Sequence, residues 1–376
     1  MKVEILKENL KNGLSVVEKI VGKNSSLPIL DNVLIDTEDN FLSLSSTDLE
    51  TAVKLWILTK IVKKGKVVIP AKFFSNFVSL LPNEKVTLEE SGQGLKIECK
   101  SFKNHIQGFN PEEFPLIPEF KNEEFLEVNN NKFCQGLAQI VDIASPSQSR
   151  PEIAGIYFIF SKNYIKIVAT DSFRLAEKNI VLEDSIKRDI SFILPQKPAR
   201  ELINILSEKE GNIKMYFSSS QAMFELPMKD SPRPQMQIIS RLIEGEYPNY
   251  EEIIPKKFKT HVVIKRDEFL NQIKAASLFS GKVNEIKIKI IPQNKEIEIS
   301  AQDADIGESK STISAKIEGE EMEASFNYKF LSDGLLNIKS SEVTFDLSKE
   351  DGPCILKPVG DNSYIYVVMP IKSTQI

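Results

Sequence analysis

The chain has 376 residues, of which 41% are hydrophobic and 27% charged, and its formal net charge is −5. This length suits two or three domains of ordinary size, and the composition is that of a soluble globular protein. No apolar run is long enough to cross a bilayer and the first residues lack a signal-peptide pattern, so we expect a cytoplasmic protein without a membrane partner. The net negative charge argues against nucleic-acid binding through bulk charge.

Six amphipathic helices are predicted, two in each third of the chain. Their apolar residues recur at helical spacing, as at Leu10, Leu14 and Val17. In chain order the helices are predicted at 8–21, 72–81, 131–144, 197–207, 265–279 and 328–338. Between them lie short alternating runs, such as Ile286 and Ile288 around a lysine, which are typical of half-buried strands.

A strand running into the same kind of turn occurs once in each third of the chain. The three segments are 41–52, 164–176 and 297–309. Asp48, Asp171 and Asp303 occupy matching places in them, each after Thr or Gln. We therefore predict that these carboxylates accept hydrogen bonds from backbone N–H groups of their turns. The alternative is paired carboxylates for metal or acid–base chemistry, to which Asp305 would contribute.

Each third combines two helices with several strands and lacks a βαβ rhythm. The predicted fold class is α+β, with one domain of two helices packed on antiparallel sheets repeated three times. The joins are expected in the charged, turn-rich stretches 110–124 and 244–258. The predicted domains are therefore 1–124, 125–254 and 255–376.

The residues that usually carry catalysis or metal binding are sparse. Cys99, Cys134 and Cys354 are distant from one another and odd in number, which argues against disulfides and a CxxC site. His105 and His261 lack a second ligand at zinc spacing. No phosphate-binding glycine motif is present. We predict no catalytic residue, metal or cofactor; the alternatives are a hydrolase or other enzyme acting on nucleotides or DNA, and a scaffold built from repeats.

The positive charge is concentrated on the predicted helices. They carry ten basic and seven acidic residues, although acidic residues predominate in the whole chain. If all six helices face one way, they form a mildly basic surface that tolerates phosphates without reading bases. Ordinary solvated helix faces would explain the same counts.

Six segments resemble the β subunit of bacterial DNA polymerase III, the sliding clamp, in order and at the family's spacing. They are SSLPILDNVLI at 25–35, VIPAKFF at 68–74, FNPEEFPLIP at 109–118, ATDSFRLA at 169–176, LIEGEYPNYEEIIP at 242–255 and YVVMPI at 366–371. The resemblance implies a DNA clamp fold of three equal domains, with two chains closed head to tail in a ring whose helices line the hole. It implies a processivity factor for DNA replication. The implied partners are double-stranded DNA without sequence preference, a second copy of the chain, the DNA polymerase III alpha subunit, the clamp loader, and other polymerases and repair proteins.

The resemblance also implies particular site residues. A pocket for partner peptides, with aliphatic walls and a polarizable methionine, is expected between the second and third domains. Its residues are Ile153, Thr170, Ser172, Phe173, Arg174, Leu175, Pro248, Tyr250, Ile253, Val367, Met369, Pro370 and Ile371. The DNA-binding residues are Lys23, Asn24, Lys72, Ser147, Gln148, Arg150, Asn327 and Phe330. The dimer-interface residues are Lys72, Ile106, Leu278 and Phe279.

Some of these assignments have structural alternatives. Val367 and Met369 would also suit a last core strand, and Leu278 would suit the core of its domain. Glu252 stands where many relatives have a basic residue, Phe173 replaces a frequent histidine, and a tail of 372–376 extends past the family's usual end. The preferred partner motif and the role of the tail therefore stay open.

Overall fold

The computed structural model describes residues 1–22, 27–120, 124–147, 149–183, 189–229 and 231–371. The chain divides into two compact units. Unit 1 comprises residues 1–134 and 197–242, and unit 2 comprises residues 135–196 and 243–376. The central third of the chain is divided between them because it contributes strands to a sheet in each unit.

All six predicted helices are present. They are α1 (Lys7–Ile20), α2 (Ala71–Leu80), α3 (Asn130–Ala138), α4 (Gln196–Leu206), α5 (Arg266–Ser277) and α6 (Tyr328–Leu336). Helix α3 ends six residues before the predicted end. The chain continues there with tighter bonds, since Ile140 N–H donates to the C=O of Leu137 and a 3₁₀ turn follows at Val141–Ile143. The buried apolar residues that produced the longer prediction pack in this tighter geometry instead.

Short strands make up most of the remaining regular structure. The first thirteen are β1 (Lys2–Leu6), β2 (Asn32–Glu38), β3 (Phe41–Thr47), β4 (Thr51–Leu58), β5 (Lys60–Lys63), β6 (Lys66–Pro70), β7 (Lys85–Ser91), β8 (Gly94–Cys99), β9 (Phe102–Ile106), β10 (Leu126–Asn129), β11 (Gly155–Ser161), β12 (Tyr164–Thr170) and β13 (Arg174–Val181). The others are β14 (Ile190–Pro195), β15 (Asn212–Phe217), β16 (Gln221–Pro227), β17 (Pro234–Arg241), β18 (Thr260–Lys265), β19 (Glu285–Ile291), β20 (Glu296–Asp303), β21 (Gly307–Ser314), β22 (Lys316–Gly319), β23 (Met322–Asn327), β24 (Glu342–Leu347), β25 (Cys354–Pro358) and β26 (Tyr364–Val368).

Each unit contains one long and one short antiparallel sheet. In unit 1 the strand orders are β10-β15-β16-β17-β4-β3-β2-β6 and β5-β1-β7-β8-β9. In unit 2 they are β14-β11-β12-β13-β26-β25-β24-β18-β22 and β21-β20-β19-β23. The α+β fold class is confirmed. Strands β9 and β21 each lie at an end of a short sheet, with one side unpaired by any described strand.

The helices pack their apolar faces on these sheets. Helix α1 buries Leu10, Leu14 and Val17, and it approaches the sheet so closely that a Cβ on Gly13 would lie 2.6 Å from Ile57 Cδ1. Glycine at this helical position permits the contact that any larger residue would obstruct. No helix in the described ranges has the length and apolar character that a membrane crossing requires.

Candidate functional site

The three repeated aspartates hold their turns in the same way. Each Oδ1 accepts two backbone N–H bonds, from Glu50 and Thr51 at Asp48 (3.1 and 2.7 Å), from Phe173 and Arg174 at Asp171 (both 3.0 Å), and from Asp305 and Ile306 at Asp303 (2.9 and 3.1 Å). The prediction of turn chemistry is confirmed. No group of three or more metal-ligating side chains occurs in the described part of the chain.

The strand that follows each turn has a different neighbour in each repeat. After the first turn, β4 pairs with β17 and places Ala52 opposite Ile239. After the second turn, β13 pairs with β26 and places Leu175 opposite Val367. After the third turn, β21 has no described strand on its outer side. Two of the three repeats are therefore completed by the last strand of the following repeat.

One backbone hydrogen bond marks both completed junctions. The N–H of Arg241 donates to the C=O of Glu50 over 2.8 Å, and the N–H of Met369 donates to the C=O of Phe173 over 2.9 Å. Each bond joins the end of the completing strand to the second residue after a turn aspartate. The two junctions are thus equivalent in backbone structure, although their side chains differ.

The residues predicted for the peptide pocket meet at the junction in unit 2. Leu175, Tyr250 and Val367 form one buried cluster with Val168 and Ile355. Ile153, Thr170 and Pro370 are buried as well, so six of the thirteen predicted residues form a floor or a core. The more accessible members are Ser172 and Phe173, Ile253, and the half-buried Arg174, Pro248, Met369 and Ile371. Both alternatives for the last strand therefore apply, since Val367 is core and Met369 reaches the surface.

Tyrosines that were not predicted support the floor of this site. Tyr157 and Tyr247 stack with ring centroids 4.7 Å apart. The Tyr250 hydroxyl donates to the buried Glu177 over 2.9 Å. The pKa of Tyr250 is raised, mainly by burial and also by the nearby Glu177 carboxylate. The position of Tyr247 directly before Pro248 was the available signal for its role, whereas Glu177 looked like any alternating strand residue.

Arg174, one of the residues predicted for the peptide pocket, could offer its guanidinium to a ligand as a hydrogen-bond donor. Its guanidinium instead donates from Nε to Asp171 over 3.0 Å and from Nη1 to Asp333. The guanidinium carbon lies 4.7 Å from the ring centroid of Phe330, whose ring stacks on Phe173 at 6.1 Å. Burial alone would lower the pKa of Arg174, but Tyr366, Asp333 and Asp171 together hold it above its usual value. Arg174 therefore positions the turn and leaves little donor capacity for a ligand.

The residues predicted to bind DNA have dissimilar surroundings. Lys72 and Ser147 are exposed, and Arg150 is exposed with its guanidinium on Glu152 over 3.1 Å. Asn327 caps α6 by accepting the N–H of Lys329, and Phe330 is half-buried against the predicted peptide pocket. These two positions therefore have structural roles that the resemblance did not imply. Lys23, Asn24 and Gln148 lie outside the described residues, as does the tail 372–376.

The residues predicted for the dimer interface lie at two places in the fold. In unit 1, Lys72 is exposed on α2, while Ile106 is 6% exposed and ends β9, whose outer edge pairs with no described strand. In unit 2, Leu278 caps α5 with 71% of its surface exposed, and Phe279 is half-buried. The core alternative for Leu278 is wrong. Ile306, 62% exposed, lies next to β21 and adds to the apolar surface of this part of unit 2.

The three cysteines are free and buried. Burial raises the pKa of the Cys134 thiol to about 12, so it remains protonated and unreactive at neutral pH.

The chain matches three domain families along its length. They are the N-terminal domain of the DNA polymerase III beta subunit at residues 1–118, its central domain at 127–249 and its C-terminal domain at 251–372.

Whole-length comparisons give the same answer. The chain is 28% identical to proteins named beta sliding clamp from Staphylococcus epidermidis and Staphylococcus aureus, covering 99% of this chain and all of theirs. It is also similar to the crystal structure of the Bacillus subtilis DNA polymerase sliding clamp, with a TM-score of 0.93, 26% identity and 99% of each chain covered. The crystal structure of the Thermotoga maritima DNA polymerase III beta subunit is similar too, with a TM-score of 0.91, 26% identity and 99% of each chain covered.

Proposed function

The chain belongs to the DNA polymerase III beta subunit family, and from this premise we propose that two copies close into a ring around duplex DNA and hold polymerases there through the pocket of unit 2. It is a DNA sliding clamp, a processivity factor without catalytic activity. The cytoplasm, where bacterial chromosomes are replicated, is its proposed location. The proposed domain boundaries are 1–124, 125–254 and 255–376.

The proposal of a dimer rests on β9 and β21, each of which has one edge that pairs with no described strand. In the first and second repeats, the strand after the turn is completed by the last strand of the next domain. Strand β21 lacks such a neighbour in the described residues, and β9, the last strand of the first domain, has a free edge. A free edge tends to pair with another chain. If β21 of each protomer pairs with β9 of the other, two such contacts form and the result is a closed head-to-tail dimer.

Apolar surface near both free edges supports the same contact. Leu278 and Ile306 are largely exposed near β21, and Phe102 is exposed on β9. His105 and Glu308 would lie opposite each other if Ile106 and Gly307 take the places that Ile239 and Ala52 have in the pairing of β17 with β4. Burial of exposed leucine and phenylalanine side chains supplies the larger share of the association energy.

The proposed contact with DNA is weak and independent of sequence. Lys72, Ser147 and Arg150 are exposed, but Arg150 is already paired with Glu152. These three described residues offer few phosphate contacts, and we therefore propose that retention on DNA comes from the closed ring. The proposed protein partners are the polymerase III alpha subunit, the clamp loader, other polymerases and repair proteins.

The proposed pocket accepts an extended peptide against a rigid floor. The buried cluster of Leu175, Tyr250 and Val367 forms the base, while Phe173, Ile253 and Met369 present apolar surface at the opening. This combination of a packed base and adaptable apolar rim suits the aliphatic and aromatic side chains of a short motif.

The test of the clamp is retention on closed circular DNA. The protein is loaded onto nicked circular duplex by a bacterial clamp loader with ATP, separated by gel filtration, and then the circle is cut once. Protein that stays on the circle and leaves the linear form agrees with a ring. Equal retention on both forms would show that binding is by affinity and refute the proposal.

A further inference from the structure

A second groove lies at the junction of unit 1. A cavity of about 100 Å³ opens beside the turn of the first repeat. Leu49, Pro115, Leu116 and Ile239 supply its apolar lining, and Glu50 and Arg241 are its charged members. Its volume is close to that of one leucine side chain.

The position of this groove matches that of the peptide pocket in unit 2. Ile239 opposite Ala52 corresponds to Val367 opposite Leu175, as the shared backbone bonds at the two junctions require. Ala52 is smaller than Leu175, so the floor of unit 1 leaves space that leucine fills in unit 2. Ala52 and Ile239 form a buried cluster with Met223, so this floor is preformed.

The rim of the groove exposes unusual apolar surface. Leu116 is 96% exposed and Leu49 is 44% exposed. Leu49 also has φ of 75°, a left-handed conformation that is strained for a leucine. A polar residue or glycine would adopt this turn conformation with less strain. The apolar side chain of Leu49 is therefore better explained by contact with a ligand than by the needs of the turn.

The segment beside the groove has free backbone hydrogen-bonding groups. Residues 116–120 form no backbone hydrogen bond with any described residue. Extended partner segments commonly bind through such groups, with one side chain entering a pocket. Glu50 and Arg241 are both exposed and form no ion pair within the described ranges, so the rim offers one negative and one positive charge. A ligand with the complementary pair of charges would satisfy both.

We propose that this groove binds a short extended segment of a partner protein, with one leucine-sized aliphatic side chain in the cavity and an acidic and a basic residue beside it. The acidic residue faces Arg241 and the basic residue faces Glu50. This site is independent of the peptide pocket in unit 2 and of ring closure, because all of its lining residues belong to unit 1.

The test uses two tripeptides of opposite order, acetyl-Asp-Leu-Lys-amide and acetyl-Lys-Leu-Asp-amide, because the direction of the segment is not set by the groove. They are titrated into the full chain with ¹³C-labelled Ile and Leu methyl groups. At least one peptide should shift the Ile239 and Leu49 signals saturably at millimolar concentration. Replacing the central Leu by Ala should weaken binding about fiftyfold, since three buried carbon groups are lost.

Matched variants separate the groove from general surface binding. Leu116→Glu removes exposed apolar surface from the rim and should weaken binding of the peptide at least tenfold. Leu58→Glu, at a 69% exposed leucine on β4, should leave the affinity unchanged. Met369→Ala with Pro370→Ala should leave the Ile239 response unchanged even if it abolishes binding in unit 2. An absent Ile239 response at 20 mM, equal binding of the Ala peptide, or equal effects of the two Leu→Glu variants would each overturn the proposal. Shifts that grow with protein concentration alone would also overturn it, by identifying a second copy as the occupant.

Discussion

The indole Nε1 of Trp56, on β4, donates to Oε2 of Glu38, on β2, over 3.0 Å. Lys54 and Arg233 approach the same carboxylate at 2.7 Å each. Partial burial alone would raise the pKa of Glu38, but hydrogen bonds from Lys54, Trp56 and Arg233 outweigh it and hold the pKa at about 2. Arg233 comes from the central third of the chain, so this carboxylate joins two repeats within unit 1.

Glu38 should therefore stabilise unit 1 in a pH-dependent way. A carboxyl whose pKa is lowered on folding stabilises the protein above its unfolded pKa near 4.5, and this stabilisation is lost as the pH falls towards the folded pKa of about 2. Allowing for its partial solvent exposure, we expect Glu38→Gln to cost about 2 kcal/mol at pH 6 and less than half of that at pH 3. Urea unfolding followed by fluorescence of Trp56, the only tryptophan, measures both values.

Glu318→Gln is the control for this experiment, since Glu318 is exposed and forms no ion pair with a described residue. It should change the stability by less than about 0.5 kcal/mol at either pH. A Glu38→Gln effect that stays constant between pH 6 and pH 3 would show that the ion pairs do not lower its pKa in solution.

Leu278→Glu should convert the proposed dimer to monomers. The side chain is 71% exposed within one chain, so the change leaves the fold intact and places a charge in the proposed contact. Light scattering should give one chain mass, 42.5 kDa, in place of twice that value. Leu336→Glu, at a 58% exposed leucine on α6, is the matched control and should remain dimeric. Dimers of both variants at low micromolar concentration would put the interface elsewhere.

A disulfide can test the register of the proposed strand pairing. We assume that β9 pairs with β21 of the partner as β17 pairs with β4, with Ile106 opposite Gly307. Asn104 then lies opposite Ser309. Directly opposite residues in an antiparallel pair have Cα atoms about 4.5–5.5 Å apart, which a disulfide can span. Asn104→Cys combined with Ser309→Cys should give a covalent dimer under mild oxidation, visible on a non-reducing gel. The buried native thiols contribute little background.

The control shifts the pair by one residue. With Asn104→Cys and Glu308→Cys, the two side chains point to opposite faces of the sheet. Little cross-linking is then expected. Stronger cross-linking of this second pair would mean that the register differs by one residue from that of the internal junction.

Local sequence patterns predicted the helices and the turns because both depend on nearby residues. The 3.6-residue spacing of apolar side chains gave all six helices, and the repeated aspartates gave three turns with the same backbone bonds. The early end of α3 was missed because buried apolar residues continue beyond it. Periodicity alone does not separate an α-helix from a following 3₁₀ turn.

Local sequence patterns did not predict contacts between residues that are far apart in the chain. Asp333 binds Arg174 although the two are 159 residues apart in sequence, and the sequence around either residue does not indicate this contact. For the same reason Phe330, expected at DNA, was found against Phe173. The resemblance supplied the pocket residues, but only the strand pairing shows that Leu175, Tyr250 and Val367 form a buried floor.

Removing Lys72 and Arg150 should weaken binding to short linear duplex DNA. Each exposed cation that neutralises a phosphate contributes about 0.9 to the slope of log K against log salt concentration. Because Glu152 already pairs with Arg150, we expect Lys72→Ala to reduce the slope by about 0.9 and Arg150→Ala by less. Fluorescence anisotropy at four salt concentrations measures this. Lys162→Ala, at an exposed lysine in the β11–β12 turn, is the control and should leave the slope unchanged.

The double change Met369→Ala and Pro370→Ala should strongly weaken the binding of partner peptides in unit 2. Met369 is half-buried, and its N–H bond to Phe173 does not depend on its side chain, so β26 should stay in place. The lost apolar contacts should weaken a peptide carrying Gln followed by aliphatic and aromatic residues by at least tenfold. Fluorescence anisotropy of the labelled peptide measures the affinity.

Two controls keep this result interpretable. A thermal melt should show a folded protein with a moderate loss of stability, because Pro370 is buried. Ile355→Ala removes a residue of the buried floor and should reduce stability more than peptide affinity, since its side chain is covered by Val367 and Leu175. The dimer mass should be unchanged in both variants, because neither change touches β9 or β21. A folded Met369→Ala, Pro370→Ala protein that binds the peptide as tightly as the parent would place the pocket elsewhere, even if the ring itself is correct.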